Sequence, residues 1–220
     1  LEESLKDHVT LTHKTVQIIE RAILNGSMKN GERIVETELA KRLGISKAPV
    51  REALKKLEGD GIVELLPRKG YIVKPITLKS VNDFFEIMFL LEPEAAKLSL
   101  RERTDLVCKD FNGLVMKMKD ALKSEDYESY TALNDQFHSL FYRLTKNEWI
   151  AKINQMLRKQ ARILRSLSLY TKDRVISSIE EHISIVEAYE KGNAKLLSRT
   201  VRLHLEMFKK NILETDFLKR

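Results

Sequence analysis

The sequence predicts a mainly α-helical chain in two parts, a small N-terminal domain with one β-hairpin and a larger all-α bundle of about six helices. Apolar residues recur at three- and four-residue spacing through most of the 220 residues. That period switches to short β-prone runs once, just after Gly61. Pro75 closes those runs, because it lacks a ladder donor, and places the boundary between domains at 1-76 and 77-220.

The elements follow in order. The opening residues LEESLKDHVT lack a basic flank followed by an apolar block, so they do not read as a secretory signal and are expected to be loosely ordered. Val16, Ile19 and Ile23 then mark a first helix from about Thr12 to Asn25, and SMKNGERI reads as a loop. Two short helices around Gly44 share a seam of Leu39, Ala40, Leu43, Ile45, Val50, Leu54 and Leu57, which is helix-turn-helix spacing. The runs IVELL and YIV flank PRKG, whose Pro and Gly suit a hairpin turn, and this hairpin makes the domain a winged helix-turn-helix. From Leu78 onward, breaks near Thr104, Ser124-Glu125, Lys146-Asn147, Thr171-Lys172 and Gly192-Asn193 divide the chain into about six helices, with Pro93 expected to kink the first.

Composition narrows the function classes. The net charge of +7 favours an acidic partner. The longest greasy stretch, Phe84 to Leu91, carries Glu86 and is far shorter than the roughly 20 residues of a membrane span, so no membrane role and a cytoplasmic location are expected. The single cysteine, Cys108, excludes an intrachain disulfide and, beside Leu106 and Val107, reads as a structural helix position.

The basic residues have an address. In SKAPVREALKKLE, Ser46 can cap the second helix of the motif and Pro49 falls in its first turn, where a missing amide donor costs little. Burial of Val50, Leu54 and Leu57 turns Lys47, Arg51 and Lys55 to the opposite face, which suits a major groove. Arg68 and Lys69 at the hairpin tip would lie along an adjacent groove. Positive charge on both reading elements points to double-stranded DNA.

A second set of residues points to a ligand. His138, His182 and His204 fall in separate helices of the second domain. His182 shares a face with Ile179, Val186 and Tyr189, and His204 with Leu197, Val201 and Phe208, so both imidazoles should point inward and need partners. Asn134 lies one turn before His138, a spacing that lets both meet one ion. From spacing alone, core histidines bonded to backbone or carboxylates are the commoner alternative.

The run AILNGSMKNGERIVETELAKRLGISKAPVREALKKLEGDGIVELLPRKGYIV resembles the DNA-binding domain of the GntR superfamily of bacterial regulators, through PVREAL, the G-x-x-x-x-G-E-R segment and the closing R-K-G. The resemblance implies DNA contacts at Thr37, Ser46, Lys47, Arg51, Lys69 and Gly70. Lys47 stands where this subfamily usually has Arg, and Thr37 where some members do; a lysine gives up bidentate base reading. The second half resembles the FCD effector domain of the FadR-like subfamily, through FFEIMFLLEPEAAKLSL, LNDQFHSLFYRLTKN, EEHISIVEAYEKGN and RLHLEMF, and its six helices resemble the VanR-type branch.

In metal-binding members an Asp and three His hold a divalent ion, and the matching positions are Asn134, His138, His182 and His204. Asn134 brings no negative charge, and Asp135 beside it is turned about 100° around the helix. Met88 replaces an arginine that in many members holds a carboxylate ligand. The implied protein is a ligand-responsive homodimeric transcription regulator on a palindromic operator, using zinc or nickel and a small effector such as a carboxylate. The alternative is a metal-dependent hydrolase built on the three histidines, against which no nearby carboxylate stands out as a general base.

Overall fold

The computed structural model describes residues 10–167 and 172–215. The opening nine residues, expected to be loosely ordered, and Thr171, expected as a helix break, lie outside them. The chain divides into two compact units between Ile76 and Thr77.

The first unit begins with α1 (Leu11–Leu24), one residue ahead of the expected start because Thr10 caps it by accepting the His13 amide at 3.2 Å. Strand β1 (Arg33–Ile34) follows, then α2 (Glu36–Leu43) and α3 (Lys47–Gly59), and then β2 (Val63–Leu66) and β3 (Gly70–Val73). Gly44 ends α2 at φ 66°, a left-handed turn that a side chain would strain, and so aims α3 away from α2. Val16, Ile19, Leu39, Val50, Leu54 and Leu57 are buried between α1, α2 and α3, while Leu43 and Ile45, expected in the same seam, are only half-buried at the turn.

Two expectations need correction here. The segment read as a loop contains β1, which pairs antiparallel with β3, so the wing is a three-stranded sheet of order β1-β3-β2 rather than a lone hairpin. A two-residue strand has no period of its own and exists only because β3 completes it. Ser46 does stand at the N-cap of α3, but its side chain makes no capping bond.

The second unit contains α4 (Leu78–Ser99), α5 (Asp105–Lys123), α6 (Tyr127–Leu144), α7 (Glu148–Leu167), α8 (Lys172–Glu190) and α9 (Ala194–Leu213), with a 3-10 turn at Leu100–Glu102. Short polar side chains set the starts: Thr77, Thr104, Asp126 and Asn193 each accept a backbone amide of the first turn. Helix α4 runs through Pro93, which cannot bond the Phe89 carbonyl; the guanidinium of Arg202 on α9 donates to it instead at 3.4 Å. At the centre Phe111 meets Phe137, Phe141 and Tyr189 with ring centroids 4.7 to 5.2 Å apart. This aromatic cluster forms one wall of the histidine site, since Phe137 lies edge-on to His182 at 4.6 Å.

Candidate functional site: a basic helix face and a buried three-histidine cavity

In the first unit, burial of Val50, Ala53, Leu54 and Leu57 leaves Lys47, Arg51 and Lys55 exposed along α3. Thr37 is exposed in the first turn of α2, and Ser46 at the start of α3. Arg68 and Lys69 are exposed in the turn between β2 and β3, where Arg68 takes φ 62° and Gly70 φ 81°. Lys47, Lys55, Arg68 and Lys69 form no ion pair among the described residues. Arg51 differs: its guanidinium bonds Glu36 of α2 through Nε at 3.0 Å and Nη2 at 2.9 Å. That pair, invisible in the spacing, holds the guanidinium between the two helices of the motif.

In the second unit, α6, α8 and α9 each bring one histidine to a common point. His138, His182 and His204 are 2%, 0% and 5% exposed, and one ligating nitrogen from each lies within 4.8 Å of the others. Each Nδ1 is already engaged: on His138 by the Glu92 carboxylate, on His182 by the Ser178 carbonyl at 2.5 Å, and on His204 by Glu181 at 2.6 Å. A carboxylate or carbonyl can only accept, so each Nδ1 carries the proton. Burial keeps His138 and His182 neutral, so their Nε2 atoms are unprotonated, and these face each other at 3.2 Å.

Burial pushes His138 down to about 4 against the pull of Glu92, and burial with the neighbouring His204 and His138 lowers His182 well below the usual imidazole range. Facing lone pairs repel, and a bound cation would relieve that repulsion. The nitrogens around a tetrahedral zinc lie roughly 3.3 Å apart, given bonds of about 2.0 Å. The His138–His182 pair matches this spacing, and the other pairs lie within 4.8 Å. Carboxylates that fix the far nitrogen of a ligating histidine are a regular part of such sites.

A cavity of about 510 Å³, counted with its mouth, opens on this cluster. His138 and His204 line it, together with Asn134 and Met88; His182 sits behind them. Asn134 thus lies where its spacing from His138 puts it, on α6 and only 3% exposed. Asp135 is turned away, as expected, and is held by Arg162 at 2.8 Å and Arg165 at 2.7 Å.

Sequence reasoning missed Glu92, Glu181 and Arg158. Glu92 is fully buried and accepts from Arg158 of α7 at 2.7 Å as well as meeting His138. Burial alone would raise its carboxyl, but His138 and Arg158 outweigh burial and hold it well below the usual carboxylate range. A glutamate followed by Pro93 inside a greasy run was the one available sign, since such a charge is buried only with a partner.

A winged helix-turn-helix with a free basic face, in one chain with a helical bundle built around a cavity, defines a two-domain DNA-binding transcription regulator. The profile of bacterial regulatory proteins of the gntR family matches residues 11–73, and that of the FCD domain matches residues 83–207. The chain belongs to the gntR family of regulators that carry an FCD domain.

It is 29% identical over 191 residues to the uncharacterized HTH-type transcriptional regulator YdhC of Bacillus subtilis, covering 84% of each chain. It is 26% identical to the Nta operon transcriptional regulator of Aminobacter aminovorans, over 84% of this chain and 86% of that one. The solved structure of McbR/YncC from E. coli superposes with a TM-score of 0.75 at 20% identity, covering 94% of this chain and 97% of that one, and so shares the fold. The named relatives are transcription regulators, which does not favour the hydrolase alternative: this chain is a regulator and not an enzyme. No helix among the described residues is long and apolar enough to cross a membrane.

Proposed function

We propose that this protein is a cytoplasmic regulator that binds a palindromic operator as a homodimer and answers to a small organic acid held on a divalent transition metal in the second unit. The observation that carries the reading is the convergence of three buried imidazoles whose Nδ1 atoms are all engaged and whose ligating nitrogens lie within 4.8 Å of one another beside a cavity.

Three neutral nitrogens and the amide oxygen of Asn134 favour zinc or nickel over magnesium or calcium, which prefer several anionic oxygens. Bound there, the metal would supply a positive centre with an open position for an anionic effector oxygen. The protein's part is to orient the imidazoles through Glu92, Ser178 and Glu181 and to close the site from water. Thr37, Ser46, Lys47, Arg51, Lys55, Arg68, Lys69 and Gly70 form the DNA surface. Dimerisation fits the exposed Ile87 and Leu90 on α4 and Leu203 and Met207 on α9, because α4 and α9 pack side by side. A two-fold dimer doubles the DNA contacts of one small winged unit.

The test is elemental analysis of untagged protein purified without chelator, beside operator binding and light scattering. About one zinc or nickel per chain, a dimer, and two protected half-sites are expected. His182→Ala should lose the metal and the effector response yet keep operator binding. A chain that takes up neither metal on addition refutes the metal, and a monomer protecting one half-site refutes the dimer.

A further inference from the structure

Helix α7 carries two apolar stripes, and one of them faces outward. On the inner side Leu157, Ala161 and Leu164 are buried, together with the polar Asn154, Arg158 and Arg165. On the outer side Trp149, Ile153 and Met156 recur at four- and three-residue spacing and are 73%, 41% and 47% exposed. An apolar stripe at helical spacing is normally covered, so a helix apolar on two sides belongs between two partners. The bundle supplies one of them. Trp149 is the single tryptophan of the chain, and Lys152 lies over its ring with Nζ 4.9 Å from the centroid.

The charges beside the outer stripe indicate the second partner. Glu148 and Lys159, opposite in sign, stand about three turns apart on the same flank of it. A second copy of α7 laid antiparallel about a two-fold axis brings like flanks together, because an axis perpendicular to both helices keeps each flank on its own side. With that axis level with Ile153 and Asn154, Glu148 of each copy comes level with Lys159 of the other. The same register sets Trp149 between Met156 and Gln160 of the second copy and brings the two Ile153 side chains together at the axis. The stripe thus matches itself in polarity and in charge, whereas a uniformly acidic or basic partner would meet one like charge. Three such side chains cover well under the roughly 800 Å² per partner of a stable interface, so the contact is weak unless copies are already held together.

We propose that the outer face of α7 is a docking surface for α7 of a second copy, antiparallel about a two-fold axis, and that this contact joins homodimers into a tetramer whose four winged units can hold two operators at once. The residues involved are separate from those of α4 and α9 assigned to the dimer. The tetramer rests on that dimer reading; the α7 contact does not.

The experiment is light scattering and tryptophan fluorescence on the full-length untagged protein from about 1 μM to about 200 μM, a span that covers weak association. The mass is expected to rise from dimer to tetramer, with a blue shift of Trp149 emission and weaker quenching by acrylamide. Ile153→Glu, at an exposed position, should weaken the tetramer at least tenfold and keep the thermal midpoint. Glu148→Lys should weaken it as well, and adding Lys159→Glu to Glu148→Lys should restore it. A mass that stays at one dimer with Trp149 emission unchanged overturns the contact, and a tetramer that persists in Ile153→Glu overturns its place on α7. If the mass stops at a dimer that Ile153→Glu dissolves, the contact stands and the dimer on α4 and α9 is the reading that fails. A charge exchange that folds but restores nothing overturns the antiparallel register. Should the exchanged protein unfold, Ile153→Cys decides: oxidation should link two copies through position 153, and the absence of that link overturns the register.

Discussion

The two units treat charge in opposite ways. In the first, Lys47, Lys55, Arg68 and Lys69 are exposed with no ion pair among the described residues, and only Arg51 is tied down, to Glu36. In the second, Glu92, Arg158, Asp135 and Arg165 are all buried, each against an opposite charge, and the histidines lie among them. A surface charge without a partner in the chain is open to solvent or to something outside the chain, and its removal should leave the fold intact. A buried charge belongs to the fold itself, so removal of one member strands the other.

The largest expected effect tests that contrast directly. Glu92→Leu leaves Arg158 buried without a counter-charge and should cost about 3–5 kcal/mol in urea unfolding of the second unit. A loss under about 1 kcal/mol would show that water reaches the pair. Next comes Glu181→Gln, which keeps the shape around His204 but weakens its hold on Nδ1; metal affinity should fall about 10–100-fold in a chelator competition, and because the same carboxylate pairs with Arg174 stability should fall too, by less than in Glu92→Leu.

Arg51→Ala belongs to the exposed class. It should weaken operator binding by about 1–3 kcal/mol at fixed salt and shift stability by less than about 0.5 kcal/mol. The Glu36 pair sharpens this case, because Glu36→Gln frees the guanidinium; if the pair positions Arg51 for a base, Glu36→Gln should lower discrimination between operator and random DNA while leaving total binding nearly level. The smallest effect is Lys69→Ala, expected to reduce the salt dependence of binding by about one charge and to weaken every sequence alike.

What could be read beforehand follows the same division. The helix-turn-helix seam, the wing tip and the cap at Asn193 are local patterns, set by residues a few positions apart, and they were legible. The inward histidines were legible too, because each sits on the apolar stripe of its own helix. Strand β1 was not, since Arg33 and Ile34 acquire their conformation from Tyr71 and Ile72. Nor was Arg158: on α7 it looks like one more helix cation, and only the fold brings it to Glu92, 66 positions away. Ser46 shows the reverse error, a residue type suited to capping whose hydroxyl makes no such bond.

Glu92 also bears on the order in which the molecule assembles. Its carboxylate joins α4 to a histidine 46 residues downstream and an arginine 66 residues downstream. Neither contact can form until the intervening chain has closed on itself, and the 66 positions between Glu92 and Arg158 exceed the 46 of Asn30 to Ile76 in the winged unit, so the Arg158 side of the cavity closes later. On a ribosome the first unit emerges whole before Arg158 has been synthesised. Released chains cut short between residues 100 and 157 should therefore already hold a folded winged unit while their apolar α4 remains uncovered, a stage at which chaperone binding to that helix would be strongest.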